Sequence, residues 1–109
     1  SEGVYVCTEG PHLESPAQIR MMRLYGDVVG MTGYPEVVLA REAEMCYASI
    51  CIVTNPAAGM SEKQLSASEI AGLMDGCRQS ISDIIYKAAQ DISADRPCRC
   101  RQALADAGL

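Results

Sequence analysis

Three short stretches place hydrogen-bonding residues directly after apolar runs. The first is "CTEGPHLESPAQIR", residues 7–20, where Glu9 and Glu14 flank Gly10-Pro11. The second is "VVGMTGYPEVV", residues 28–38, with Met31 and Thr32 between Gly30 and Gly33. The third is "ASICIVTNPAAG", residues 48–59, which stops at Thr54 and Asn55. Each has usable chemistry. The Glu14 carboxylate can accept an N–H from a neutral heterocycle. The glycines let a ligand approach the backbone, and the Thr32 hydroxyl can donate to an oxyanion. Met31 offers a soft apolar surface to a sugar or ring. Asn55 carries a donor and an acceptor on one amide, so it can read a ring nitrogen and a neighbouring oxygen together. Each also has a plainer use: Glu14 at the positive end of a helix, Met31 as core, Thr32 in a turn, Asn55 in an Asx-turn before Pro56. His12, the single histidine, lies in the first turn, where surface exposure is the default.

The elements that must position these residues alternate. "GVYVCT" reads as a short strand, apolar on both faces and hence covered on both sides. Glu9-Gly10-Pro11 ends it as a turn. Ser15, Pro16 and Gln18 form a capping-box start for a helix, with Ile19 and Met22 on its buried stripe and Gly26 as its C-cap. "DVVG" is a second strand, and Pro35 opens a second helix that fades near Cys46. "CYASICIVT" is the clearest strand, apolar on both faces from Tyr47 to Val53, and Asn55-Pro56 stops it. Ser66 and Glu69 make another capping box. A long helix over 67–93 follows, with apolar residues from Ile70 to Ile92 at steps of one, three and four. The order strand, helix, strand, helix, strand, helix is that of an α/β layered fold. Ligands in such sheets bind beyond the carboxyl ends of the strands, where Glu14, Thr32 and Asn55 lie. Three buried strands make a narrow sheet whose edges need cover, so the chain reads as half of a larger domain.

The bulk numbers agree with a folded unit. The chain has 109 residues, 49% hydrophobic and 21% charged, with a formal net charge of -5. Acidic side chains concentrate before Met60, which argues against a nucleic-acid partner. No apolar run is long enough to span a membrane, and no signal-peptide pattern opens the chain. Of the six cysteines, Cys7, Cys46, Cys51 and Cys77 read as small buried hydrophobes. Cys98-Arg99-Cys100 is too close a pair for the usual structural zinc spacing, and no histidine completes a set. A reducing, cytoplasmic setting is expected. No sequence signature marks a metal site, a nucleophile triad or a P-loop.

Those same blocks, in order and with matched spacing, closely resemble the phosphorolytic nucleoside phosphorylases. These are the trimeric purine nucleoside and methylthioadenosine or methylthioinosine phosphorylases, and the resemblance covers roughly residues 3–92. It implies a three-layer α/β domain around a mixed central sheet, of which residues 1–95 are the carboxyl-terminal half; residues 96–109, charged and holding Pro97, are expected to be a mobile tail. It implies a trimer or hexamer of complete units, no cofactor or metal, and inorganic phosphate as co-substrate. A purine nucleoside is cleaved to free purine and ribose 1-phosphate, or its 5-methylthio form. Residue by residue, Met31 lies against the ribose, Thr32 contacts phosphate and Glu14 receives a purine ring N–H. Asn55 hydrogen-bonds the base at N7 and O6 and eases its departure.

Departures from the family refine this. Leu13 stands where the family stacks a phenylalanine on the base, and His12 where an arginine is common. Ala57 stands where adenine-preferring enzymes carry an aspartate, as Asn55 does, which points to a 6-oxopurine. Ala67 stands where many enzymes bind the 5′-hydroxyl with histidine, which leaves room for a methylthio group. The glycine-rich and arginine/histidine phosphate elements of the family's amino-terminal half are not in this sequence, so activity requires that half as partner. The alternative is a non-catalytic α/β subunit or a regulatory ligand-binding remnant of the same fold.

Overall fold

The computed structural model describes residues 2–62, 66–105 and 107. In chain order these form β1 (Tyr5–Cys7), α1 (Pro16–Met22), β2 (Val28–Gly30), α2 (Glu36–Glu42) and α3 (Ala67–Asp91), followed by a 3-10 turn at Arg99–Gln102. β1 and β2 run parallel, with Tyr5 opposite Val28, Val6 opposite Val29 and Cys7 opposite Gly30. A parallel pair needs a crossover, and α1 supplies it. The ladder continues past both strands: Thr8 N–H donates to Gly30 O at 2.8 Å and Asp27 N–H to Val4 O at 2.9 Å. Asp27 also accepts the Val4 N–H at 2.8 Å, which fixes the entry to β1.

The helix starts follow their sequence signals. Ser15 accepts from Gln18 N–H while Gln18 returns a bond to Ser15 N–H, and Ser66 and Glu69 do the same for α3. The stops differ. α1 ends at Met22 with Arg23 as C-cap. Gly26 comes three residues later, bonded back to Met22 O. α2 ends at Glu42, short of Cys46, because Glu44 turns left-handed at φ 54°. Met45 N–H then reaches Ala40 O and Glu44 N–H reaches Arg41 O. That is a Schellman motif, and its glycine-like position is held by a glutamate.

The expected third strand is corrected. Residues 46–54 form no ladder among the described residues, and the sheet has two strands. The segment is nevertheless laid out as a strand. Tyr47, Ser49, Cys51 and Val53 line one groove together with Tyr5, Cys7, Val28 and Val37. Ile52 points instead towards Ala71, Met74 and Ile81 of α3. From Ser49 to Val53 the groove takes every second residue, the two-residue period of extended chain, while Tyr47 and Ala48 both line it at the start of the segment. A groove of about 510 Å³ lies between this segment and β1, and the segment makes no ladder with the sheet. The Tyr47 hydroxyl ties it to Glu36 of α2 at 3.2 Å.

The core is small. Ile19, 5% exposed, is the one fully buried residue among those described. α3 buries none of its residues, and Leu73, Met74, Ile84 and Ile85 on it are 40–55% exposed. The apolar stripe expected from its sequence is present but largely uncovered. The chain therefore has the α/β character expected, while the described residues build two parallel strands rather than a mixed sheet.

Candidate functional site

The first strand end is organised by Thr8. Its hydroxyl donates to Glu14 Oε1 at 2.5 Å, and its backbone N–H is anchored on Gly30 O. Sequence reasoning passed over Thr8, since a threonine after a strand reads as an ordinary turn residue. The available signal was its position six residues before an unpaired carboxylate. The Thr8 hydroxyl, then the backbone N–H of Glu14, hold this carboxyl below the ordinary glutamate range, with a smaller electrostatic contribution from His12. Glu14 is half-buried and ionised at neutral pH, an acceptor without a proton of its own.

Met31 reaches the same place. A Cβ added at Gly10 would lie 2.7 Å from Met31 Sδ, so the thioether rests on the Gly10-Pro11 turn because that position has no side chain. Thr32 follows at the surface. Its backbone N–H donates to the Tyr5 hydroxyl at 3.4 Å, and its side chain is exposed. Leu13 is 83% exposed beside Glu14.

The third block comes close through Gly59. This residue has φ +76°, and a Cβ there would meet Pro16 Cβ at 2.7 Å. The loop after Asn55 thus touches the first residue of α1, two residues beyond Glu14. Asn55 itself is exposed and locally engaged: its Oδ1 accepts from Thr54 at 2.7 Å and its Nδ2 donates to Pro56 O at 2.9 Å. Ala57 is half-buried, and its carbonyl accepts from Met60 N–H. Ala67 is exposed at the first position of α3. The structure thus gathers Glu14 and Met31 around Thr8 and Gly10, with the Asn55–Gly59 loop against Pro16. Ala67 stands on α3, beyond the connection formed by residues 63–65, which lie outside the described residues.

A separate cluster lies on the tail. Cys46 and Cys98 bring their sulfurs to 3.3 Å, and with Cys100 the three Sγ atoms lie within 4.8 Å of one another. Cys46 and Cys51 are exposed and Cys7 and Cys77 only half-buried, so none of the four is the buried hydrophobe expected. The Cys100 backbone N–H, then the Cys46 thiol, pull the Cys98 thiol down to about 7. Hydrogen bonds to Cys98 and Cys46 push Cys100 up to about 11.

Comparison with known proteins identifies the family. The family described as the phosphorylase superfamily matches residues 1–90. The chain is 54% identical over 108 residues to a probable S-methyl-5'-thioinosine phosphorylase of Methanothermobacter thermautotrophicus, covering 98% of this chain and 39% of that protein. It is 52% identical to a protein of the same description from Methanosarcina acetivorans, covering 94% of this chain and 40% of that one. It is 53% identical to the 6-oxopurine nucleoside phosphorylase of Pyrococcus furiosus, again covering 94% of this chain and 39% of that one. The chain spans about two fifths of the length of these curated relatives. All three blocks that carry the strand-end residues lie inside the matched region, and the chain belongs to the phosphorylase superfamily.

Proposed function

We propose that this chain forms the nucleoside-recognising part of a purine nucleoside phosphorylase, completed by the remaining family segments in a trimer or hexamer. Inorganic phosphate is the second substrate and no other cofactor takes part. The observation that carries the reading is the pairing of Thr8 with Glu14 beside Met31. It sets an ionised acceptor next to an apolar surface at the ends of two parallel strands. A 6-oxopurine presents a ring N–H that such an acceptor can take, and a ribose face suits the thioether.

In this reading Leu13 packs on the base, Met31 on the ribose, and Thr32 donates to phosphate. As the bond from C1′ to the base breaks, its electron pair passes into the purine. Asn55 turns its Nδ2 from Pro56 O to N7 and stabilises that charge. A phosphate oxygen then bonds to C1′. The proton released from the newly formed hydrogen-phosphate ester is matched by one taken up by the purine anion through solvent, and the products are the free purine and a ribose 1-phosphate. Ala57 offers no carboxylate to an exocyclic amine, which favours a 6-oxopurine over adenine. Ala67 leaves space at the 5′ position for a methylthio group, because a buried hydroxyl without a partner costs about 1–3 kcal/mol. The names of the relatives, methylthioinosine and 6-oxopurine phosphorylases, support the same base.

The test is kcat/KM of the complete assembly for methylthioinosine, inosine and methylthioadenosine at one phosphate concentration. The expected order is methylthioinosine, then inosine, then methylthioadenosine. Better use of methylthioadenosine would reject the base assignment. A methylthioinosine-to-inosine ratio at or below one would reject the 5′ assignment alone. Absence of phosphorolysis of any purine nucleoside would leave the non-catalytic reading.

A further inference from the structure

We propose that Cys46, Cys98 and Cys100 bind a thiophilic divalent cation, zinc being the representative ion, at the junction of the α2 turn and the tail. The cluster is built from two directions. The Schellman turn after α2, with Glu44 left-handed, delivers Cys46. The tail delivers Cys98 and Cys100 from 52 residues further on. Two independent contacts hold the tail there: Arg96 Nη1 donates to Glu44 O at 3.2 Å, and Leu104 N–H donates to Glu44 Oε1 at 3.3 Å. The juxtaposition of the thiols therefore rests on the backbone course of both segments and not on the sulfurs alone.

The dimensions and the charge fit such an ion. Zinc–sulfur bonds of about 2.3 Å in a tetrahedron set sulfurs roughly 3.8 Å apart. The three Sγ atoms, all within 4.8 Å of each other and those of Cys46 and Cys98 at 3.3 Å, need only side-chain rotation to reach that spacing. Three thiolates around a divalent ion leave one excess negative charge. Arg96 offsets it, since its Nη1 also lies 3.7 Å from Cys46 Sγ. The guanidinium thus acts as an outer partner that both orients a ligand and balances the site. Cys46 and Cys98 are exposed, so the ion has an open path, and water takes the fourth position. Neither sugar nor base recognition uses these residues, and the proposal stands apart from the phosphorylase reading.

The test uses the intact protein, reduced and freed of metal by a chelator with oxygen excluded, and titrated with Co2+ as the probe. One Co2+ per chain with an intense sulfur-to-cobalt charge-transfer band, displaced by Zn2+, is the expected result. Cys46→Ser should lower Zn2+ affinity by more than about tenfold and weaken the band, and Arg96→Gln, which keeps every thiol, should lower it by roughly ten- to a hundredfold. Cys51→Ser should change neither. Circular dichroism of each metal-free variant separates lost binding from lost folding. Should Cys46→Ser not fold, Cys98→Ser on the tail reads the same loss. A fully reduced protein with no charge-transfer band would overturn the proposal. So would a band unchanged in both the Cys46 and Cys98 variants, or a Cys46–Cys98 disulfide recovered by mass spectrometry from anaerobically purified protein.

Discussion

Thr8 and Glu14 are joined by a 2.5 Å hydrogen bond from hydroxyl to carboxylate, and Thr8 is itself pinned to β2 through Gly30 O. A residue six positions away on a loop is thereby given the positional precision of a strand. Thr8→Val keeps the shape and removes the donor. Glu14 then loses the main cause of its lowered pKa. A carboxyl whose folded pKa is depressed contributes stability that is present above its unfolded pKa and lost as pH falls through the folded value. Thr8→Val should accordingly move the acid limb of 6-oxopurine binding, and of stability, to higher pH. At pH 7 the cost should be about 1.5 kcal/mol, the low end for a charge-assisted bond, as suits a half-buried group. Purine binding across pH and urea unfolding check both. An unmoved acid limb would show that Thr8 does not set the state of Glu14.

Asn55→Asp exchanges a donor for a second carboxylate oxygen. Turnover of 6-oxopurine nucleosides by the complete assembly should fall by about 10- to 150-fold, the equivalent of one lost hydrogen bond to a charged group. Use of 6-aminopurine nucleosides should fall less, because an exocyclic amine can donate to the new acceptor. Equal losses on both bases would remove Asn55 from base selection.

Gly59→Ala should destabilise the protein by about 1–2 kcal/mol from its left-handed backbone alone, and by more because the added methyl meets Pro16 Cβ. Gly72→Ala is the control. Nothing lies within 4 Å of a Cβ there, and in a helix interior the change should stabilise by roughly 0.5–1 kcal/mol. Paired denaturant titrations read the two opposite signs.

In the reduced, metal-free protein, iodoacetamide at neutral pH should alkylate Cys98 well before Cys100. The thiolate is the nucleophile, and these thiols sit at about 7 and about 11. Raising the pH should narrow the difference. Peptide mapping over a time course measures it, and faster labelling of Cys100 at pH 7 would contradict the hydrogen-bond directions described.

What was legible in the sequence was local. Ser15 with Gln18 and Ser66 with Glu69 announce their helices because a capping box is complete within four residues. β1 and β2 are legible because an apolar run followed by a glycine turn admits few alternatives. The strand-end positions of Glu14 and Met31 could be read for the same reason. The pairing of residues 47–53 could not. Their apolar pattern specifies extended chain, but a ladder needs a neighbour at hydrogen-bonding distance, and a groove lies there instead. Thr8 was missed because its importance comes from what it touches. The meeting of Cys46 with Cys98 was invisible because it depends on a left-handed glutamate after α2 and on the return of the tail, neither of which leaves a periodic trace.

Cys46 and Cys98 also enclose α3, the helix that buries none of its residues. A helix with so little packing is held chiefly by whatever restricts the freedom of its ends. In chain-statistical terms, an ion tying both thiols would close a loop spanning 52 positions, a link that deprives the unfolded chain of about 4 kcal/mol of conformational freedom at 25 °C on the cross-link relation. The order of the longest helix would then be governed from outside it, at a junction its own sequence does not contain.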